Sequence, residues 1–262
     1  MDLGLDGAVA IVTGAGRGIG LAVTRALAAE GARVVAASRT ITPELATLAG
    51  GGTVEAVVAD LTDPTVPDTL VARATRLGQL RVLVNNVGGV HPRPGGFASV
   101  TDDAWTATFQ LDAMTAIRMT RAALPALREA GGGSVVTVAS VNARLPDPVV
   151  IDYSAAKAAL VSFSKSLSKE VGADGIRVNT VSPGPVATDL WLGDGGVAAT
   201  LSTAGGADRA DVVGGAEASM VTGRFTKPEE VAALVAFLAS DLVAGNITGS
   251  DVVIDGGLTA EL

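Results

Sequence analysis

Short runs dominated by Val, Ile and other apolar residues recur along the chain, separated by longer Ala- and Leu-rich stretches whose apolar positions fall at helical spacing. The runs at Ala8–Val12, Arg33–Ala37, Val54–Val58, Val82–Val84, Ser134–Ala139, Arg177–Val181 and Val252–Ile254 read as strands. Helical patterns lie near Ile19–Glu30, Pro67–Leu77, Asp102–Leu127, Tyr153–Val171 and Pro228–Ser240. Strands that are apolar along their whole length are buried on both faces, the condition of a parallel sheet crossed by helices. The pattern predicts an α/β fold of Rossmann type: a doubly wound, seven-stranded parallel sheet with helices on both faces. Gly31 is placed to end the first helix in a left-handed cap. Thr226, Pro228 and Glu229 supply an N-cap, an N1 proline and a capping-box partner for the last one.

Neither an internal repeat nor a Pro-rich or charged linker divides the sequence, so residues 1–262 are expected to form one domain. The stretch Gly193–Gly223 breaks the regularity. It is rich in Gly, Ala, Ser and Thr and reads equally as a mobile lid or as a loosely packed helical hairpin; a substrate-covering segment is expected at about 189–225.

Composition narrows the chemistry. With 48% hydrophobic and 18% charged residues, disorder is excluded, and the absence of cysteine removes disulfides, thiolate metal sites and cysteine nucleophiles. Mean hydropathy is +0.44, yet the longest apolar stretch, Val231–Ala239, falls short of the roughly 20 residues of a spanning helix. No membrane attachment is expected. The first residues carry acids and no basic or apolar leader, so the cytoplasm is the expected location. A formal charge of −8 opposes nonspecific contact with phosphate backbones, and no nucleic-acid partner is expected.

Directly after the first strand runs Thr13-Gly14-Ala15-Gly16-Arg17-Gly18-Ile19-Gly20, a glycine-rich loop opening a helix. Glycines let the backbone approach a pyrophosphate, and the helix N-terminus offers that anion free N–H groups and partial positive charge. The spacing Thr-Gly-x-x-x-Gly-x-Gly resembles that of the short-chain dehydrogenase/reductase family. So do Asp60 after the third strand, Asn85-Asn86-Val87-Gly88 after the fourth, Ser140, Tyr153 with Lys157, Pro183-Gly184 with Thr188, and Asp255-Gly256-Gly257. The resemblance implies that Asp60 and Leu61 contact an adenine ring, that Asn86 and Gly88 line the path to a nicotinamide, and that Thr188 touches its carboxamide. Pro183, Gly184 and Val186 join that set. It also implies a homotetramer acting on a small-molecule carbonyl or alcohol.

A carboxylate at the end of the second strand selects NAD through the ribose 2′-hydroxyl, whereas an Arg accommodates the 2′-phosphate of NADP. Here Ser38-Arg39 occupies that place, and Arg17 in the glycine loop adds a second cation. Unless both are ordinary solvated arginines, they favour NADP(H) over NAD(H).

Tyr153 is the chain's only tyrosine, and Lys157 stands four residues on, on the same helical face. A nearby ammonium stabilises phenolate and is expected to lower the Tyr153 pKa toward the working range. Ser140, at the end of the fifth strand, can donate to a carbonyl oxygen. In the family the serine orients the carbonyl, the tyrosine protonates its oxygen and the lysine also binds the nicotinamide ribose. One position departs from the pattern: Asp112 stands where many members carry a catalytic Asn. It either adds negative charge beside Lys157 or points away, capping a kink or pairing with Arg118. His91, the only histidine, reads as a solvated loop residue, and no metal site is expected. Arg93 is either an anchor for an anionic substrate or plain surface. Two rivals share these motifs: a 3-oxoacyl thioester reductase, and a nucleotide-sensing regulator that has lost its chemistry.

Overall fold

A computed structural model describes residues 2–260. The elements run β1 (Val9–Thr13), α1 (Gly18–Ala29), β2 (Arg33–Ser38), α2 (Pro43–Ala49), β3 (Val54–Val58), α3 (Val66–Leu77), β4 (Leu80–Asn85), α4 (Asp102–Phe109), α5 (Thr115–Glu129), β5 (Gly133–Val138) and α6 (Ile151–Val171). They continue with β6 (Ile176–Pro183), α7 (Asp189–Leu192), α8 (Val197–Gly205), α9 (Arg209–Ser219), α10 (Pro228–Ala239), α11 (Asp241–Ala244) and β7 (Asp251–Ile254). All seven strands pair in parallel in the order β3-β2-β1-β4-β5-β6-β7. Every predicted strand is present.

Alternation along the strands divides the core into two layers. In β1, Ala10 and Val12 face one side and Val9 and Ile11 the other; in β2, Val34 and Ala36 oppose Val35 and Ala37. The first side receives Val23 and Leu27 of α1 with Val231, Val235 and Leu238 of α10. The second receives Leu70 of α3, Met119 and Leu127 of α5, and Val171 of α6. Each fully buried Leu, such as Leu27 or Leu127, contributes roughly 1.5–3 kcal/mol of transfer free energy. Because the strand order reverses between β1 and β4, a crevice opens there beyond their carboxyl ends.

Four expectations need correction. The helix expected over Asp102–Leu127 is interrupted by a π-helical turn, Gln110–Met114, between α4 and α5. The N-cap of α10 is Lys227, not Thr226: Pro228 occupies N1, which fixes the cap one residue before it. The capping partner is accordingly Glu230 rather than Glu229, its Oε2 accepting from the Lys227 N–H at 2.7 Å. Thr226 instead bridges to Val186. Helix α2 is additional to the expected helices, and Thr42-Pro43-Glu44 carries its start signals, Thr42 Oγ1 accepting from Leu45 N–H at 3.3 Å. Gly31 does end α1 at a φ of +83°.

The irregular stretch is a helical hairpin. Its base is closed where Ala187 N–H donates to the Thr226 carbonyl at 2.9 Å and Thr226 N–H to that of Pro185 at 3.0 Å, so the chain leaves and re-enters the domain at one point. Trp191 and Phe225 meet edge to face there, 5.4 Å between centroids. Beyond this base α8 and α9 pack mainly on each other, and α9 buries no residue. Among the described residues, no helix is long and apolar enough to cross a membrane.

Candidate active site

The crevice begins at the glycine loop. Thr13, at the end of β1, accepts the Asn86 N–H on its hydroxyl at 2.9 Å, and Asn86 Nδ2 donates to the carbonyls of Thr13 at 3.1 Å and Gly14 at 3.3 Å. Asn86 therefore braces the loop from β4. A side chain at Gly16 would fill the space before β2, its Cβ falling 2.3 Å from Ser38 Oγ. Gly18 opens α1 against Thr188, and Gly20 lies buried in the first turn. No side chain caps α1. Its first N–H groups are left for an anion.

Ser38 is half-buried at the end of β2, with Arg39 exposed beside it. Asp60 Oδ1 accepts from the Thr62 N–H at 3.0 Å and hydroxyl at 2.8 Å. Those bonds hold its carboxyl below the usual range, with a smaller contribution from the Arg39 charge. Arg17 reaches across the crevice mouth toward Asp189, 3.9 Å away, an exposed pair of little energetic weight. Leu61 and Val186 are buried in the core. Ile19 packs on the core layer of the first side, with α1 and α10. Pro183 ends β6, and Gly184 N–H donates to the Ile254 carbonyl at 2.9 Å. This brings Gly184 against Asp255, which accepts from Gly257 N–H, Thr259 N–H and the Thr259 hydroxyl at 2.9, 2.8 and 2.7 Å.

Ser140, Tyr153 and Lys157 converge beyond β5. Ser140 caps a short 3₁₀ turn, its Oγ accepting from Asn142 N–H and donating to Asn142 Oδ1, both at 3.2 Å, and the same hydroxyl acts on the Tyr153 phenol to lower its pKa. The turn is held from behind by Arg144, whose Nε donates to Asp251 Oδ2 at 2.9 Å. Lys157 Nζ donates to the Val138 carbonyl at 3.2 Å and lies 5.6 Å from the Tyr153 ring centre. The fourth residue is Asp112, on the π turn, with Oδ1 3.7 Å from Lys157 Nζ and 3.0 Å from the Gly89 N–H that it accepts. Asp112 and Lys157 are 1% and 3% exposed, and Asp112 Oδ2 has no partner in the protein. Gly88 permits the meeting, since a Cβ there would fall 2.8 Å from Asp112 Oδ1 and 3.1 Å from Lys157 Nζ. Arg118, the alternative partner, donates instead to Gln110 Oε1 at 2.7 Å.

The electrostatics differ from expectation. Burial pushes the Tyr153 phenol up, and the Asp112 charge pushes it further, against a smaller lowering by Ser140. Burial lowers Lys157 while Asp112 opposes, and burial raises Asp112 against the pull of Lys157. The lowered phenol expected beside an ammonium is therefore not found in the protein alone, because burial, and after it the Asp112 charge, outweigh what lowers it.

Arg93 is neither an anion anchor nor plain surface. Its Nη2 and Nε donate to Asp152 Oδ2 at 2.5 Å and Oδ1 at 3.3 Å, and the Thr108 hydroxyl donates to the same Oδ2 at 2.7 Å. This buried carboxylate, one residue before Tyr153, joins α6 to α4 and to the loop after β4. Sequence reading missed Asp152 and Thr108; their only local signal is a polar residue on an otherwise inward face. His91 is exposed on that loop.

Comparison with known proteins agrees with this geometry. A family model described as enoyl-(acyl carrier protein) reductase matches residues 14–259. The chain is similar to a D-threitol dehydrogenase of Mycolicibacterium smegmatis, 36% identical over 98% of this chain and 95% of that protein. A 3-oxoacyl-(acyl-carrier-protein) reductase of Salmonella typhimurium is 32% identical over 98% and 99% of the two chains. The crystal structure of an L-sorbose reductase of Gluconobacter frateurii, complexed with NADPH and L-sorbose, superposes with a TM-score of 0.90 at 33% identity, covering 100% of both chains.

Proposed function

The chain belongs to the short-chain dehydrogenase/reductase family, and from that membership we propose that it is an NADPH-dependent enzyme interconverting a ketone and a secondary alcohol. The observation that supports this reading is the convergence of Ser140, Tyr153 and Lys157 beside an uncapped glycine-loop helix at the switch point of the sheet. The residues present fit a nicotinamide dinucleotide. The free N–H groups of α1 would take its pyrophosphate, Arg17, Ser38 and Arg39 its 2′-phosphate, and Asp60 with the Leu61 backbone its adenine. Asn86, Gly88, Pro183, Gly184, Val186 and Thr188 would line the way to the nicotinamide, with Lys157 on the ribose. When bound, that group supplies the hydride taken up by the carbonyl carbon.

The remaining work falls to the chain. The Ser140 hydroxyl donates to the carbonyl oxygen and fixes its position, Tyr153 delivers its phenolic proton to that oxygen as negative charge develops, and Lys157 restores the proton. Helices α8 and α9 cover the substrate. Relatives named for D-threitol and L-sorbose put polyhydroxylated ketones first among substrates, and the similarity to 3-oxoacyl reductases keeps an acyl thioester beside them. A cytoplasmic homotetramer completes the reading on family resemblance. Tyr153→Phe tests it: turnover falls by about 10²–10⁴ while NADPH affinity, measured by calorimetry, is retained. Retention of most of the wild-type turnover would reduce Tyr153 to packing.

A further inference from the structure

We infer that the Asp112 carboxylate, by engaging Lys157 beneath Gly88, withholds from Tyr153 the positive charge that would ionise it, and so moves the pH range over which the phenol exchanges its proton with substrate toward the alkaline side. Asp112 is thus a positioning residue, acting through Lys157. Three features of the geometry carry this. The carboxylate and the ammonium are both buried and 3.7 Å apart. The remaining polar contact of Lys157 is the Val138 carbonyl, another acceptor, so the ammonium is turned toward negative groups on two sides. The absence of a side chain at residue 88 keeps the meeting place open, because a Cβ there would press on both groups.

The surrounding charges leave this pairing in place. From α6, Asp152 repels Asp112 but is itself engaged by Arg93 and Thr108. From the loop after β4, the Gly89 N–H donates to Asp112, and His91, when protonated, attracts it. From the start of α5, Arg118 turns away to Gln110 and the Thr62 carbonyl. Beside Tyr153 stand Ser140, Lys157 and Asp112. Removing the one negative charge within reach of both Lys157 and the phenol must stabilise phenolate. Carbonyl reduction needs the phenol protonated and alcohol oxidation needs it ionised, so Asp112 moves the alkaline loss of the one and the alkaline levelling of the other to higher pH together.

The inference rests on the proposed reaction, but its first test needs neither cofactor nor substrate. Tyr153 is the chain's only tyrosine, so phenolate absorbance in the free protein reports this residue alone. In Asp112→Asn the Tyr153 titration moves to lower pH, by roughly one to two pH units for a unit charge at this range. The pH at which kcat/KM for alcohol oxidation levels off, and the pH at which that for carbonyl reduction begins to fall, move the same way. Asp112→Ser, which also removes the charge, gives the same shift and serves if the Asn protein does not fold. Superimposable phenolate titrations in wild type and either variant overturn the inference. Failure of the functional reading looks different: no turnover in wild type, whatever the phenol does.

Discussion

Ser38 and Arg39 stand at the carboxyl end of β2, where Gly16 leaves room before the serine hydroxyl and no acid is present to receive a ribose 2′-hydroxyl. Arg39→Ala should weaken NADPH about tenfold and NADH hardly at all, because only NADPH loses a charge-assisted bond, and solvent screening holds the effect to that size. Calorimetric titration of both cofactors checks it; equal losses would remove Arg39 from the phosphate site. At this scale the sequence was most readable where one motif sets both identity and spacing, as at Gly14–Gly20, Ser140, Tyr153 and Lys157. It was least readable where partners are distant. Arg93 and Thr108 lie 59 and 44 positions from Asp152, and nothing local to any of the three announces the contact. Asp112 could be located by its departure from the family pattern, but whether it faced Lys157 or Arg118 depended on the direction of one turn.

That turn belongs to the scale of elements. Apolar runs located every strand, most plainly at Val9–Val12 of β1, which is buried along its whole length without a polar interruption; β6 was found although Arg177, Asn179, Thr180 and Ser182 interrupt it. Apolar periodicity also marked the long helices, yet it missed the π turn at Gln110–Met114, since widening a helix by one residue shifts the apolar stripe without erasing it. Helix α2 buries only Leu45 and so leaves little periodic signal. The start of α6 carries its own prediction. Asp152, 1% exposed, is raised by burial and lowered more by bonds from Arg93 and Thr108, so its folded pKa lies below the ordinary 3.8. A depressed carboxyl contributes stability that is complete above the unfolded value and is lost as pH falls through the folded one. Arg93→Ala strands a buried charge and should cost about 3–5 kcal/mol at neutral pH. Because Asp152 then gains by taking up a proton, the deficit should narrow as pH falls toward 4. Denaturant unfolding at several pH values measures both, and a deficit below about 1 kcal/mol would place the pair among surface contacts.

At the scale of the molecule, parallel strands bring their carboxyl ends to one edge, and the candidate site residues gather there: the glycine loop from β1, Ser38 from β2, Asn86 from β4, Ser140 from β5 and Thr188 after β6. The helical hairpin joins that edge at the Val186–Thr226 bridge, which places its base beside Thr188 and the opening of α1. The sheet and its edge were legible as a whole, because alternating strands and helices admit few arrangements. The hairpin was not, because small residues suit a helix, a loop or a lid alike. The central claim is that this edge forms a working NADPH-dependent reductase. Its most direct test is the rate of NADPH consumption by the wild-type protein with polyhydroxylated ketones, simple ketones and a 3-oxoacyl thioester, set beside the rate with NADH. The account predicts saturable turnover with at least one ketone and a preference for NADPH; tight NADPH binding with no turnover on any member of the panel would contradict it.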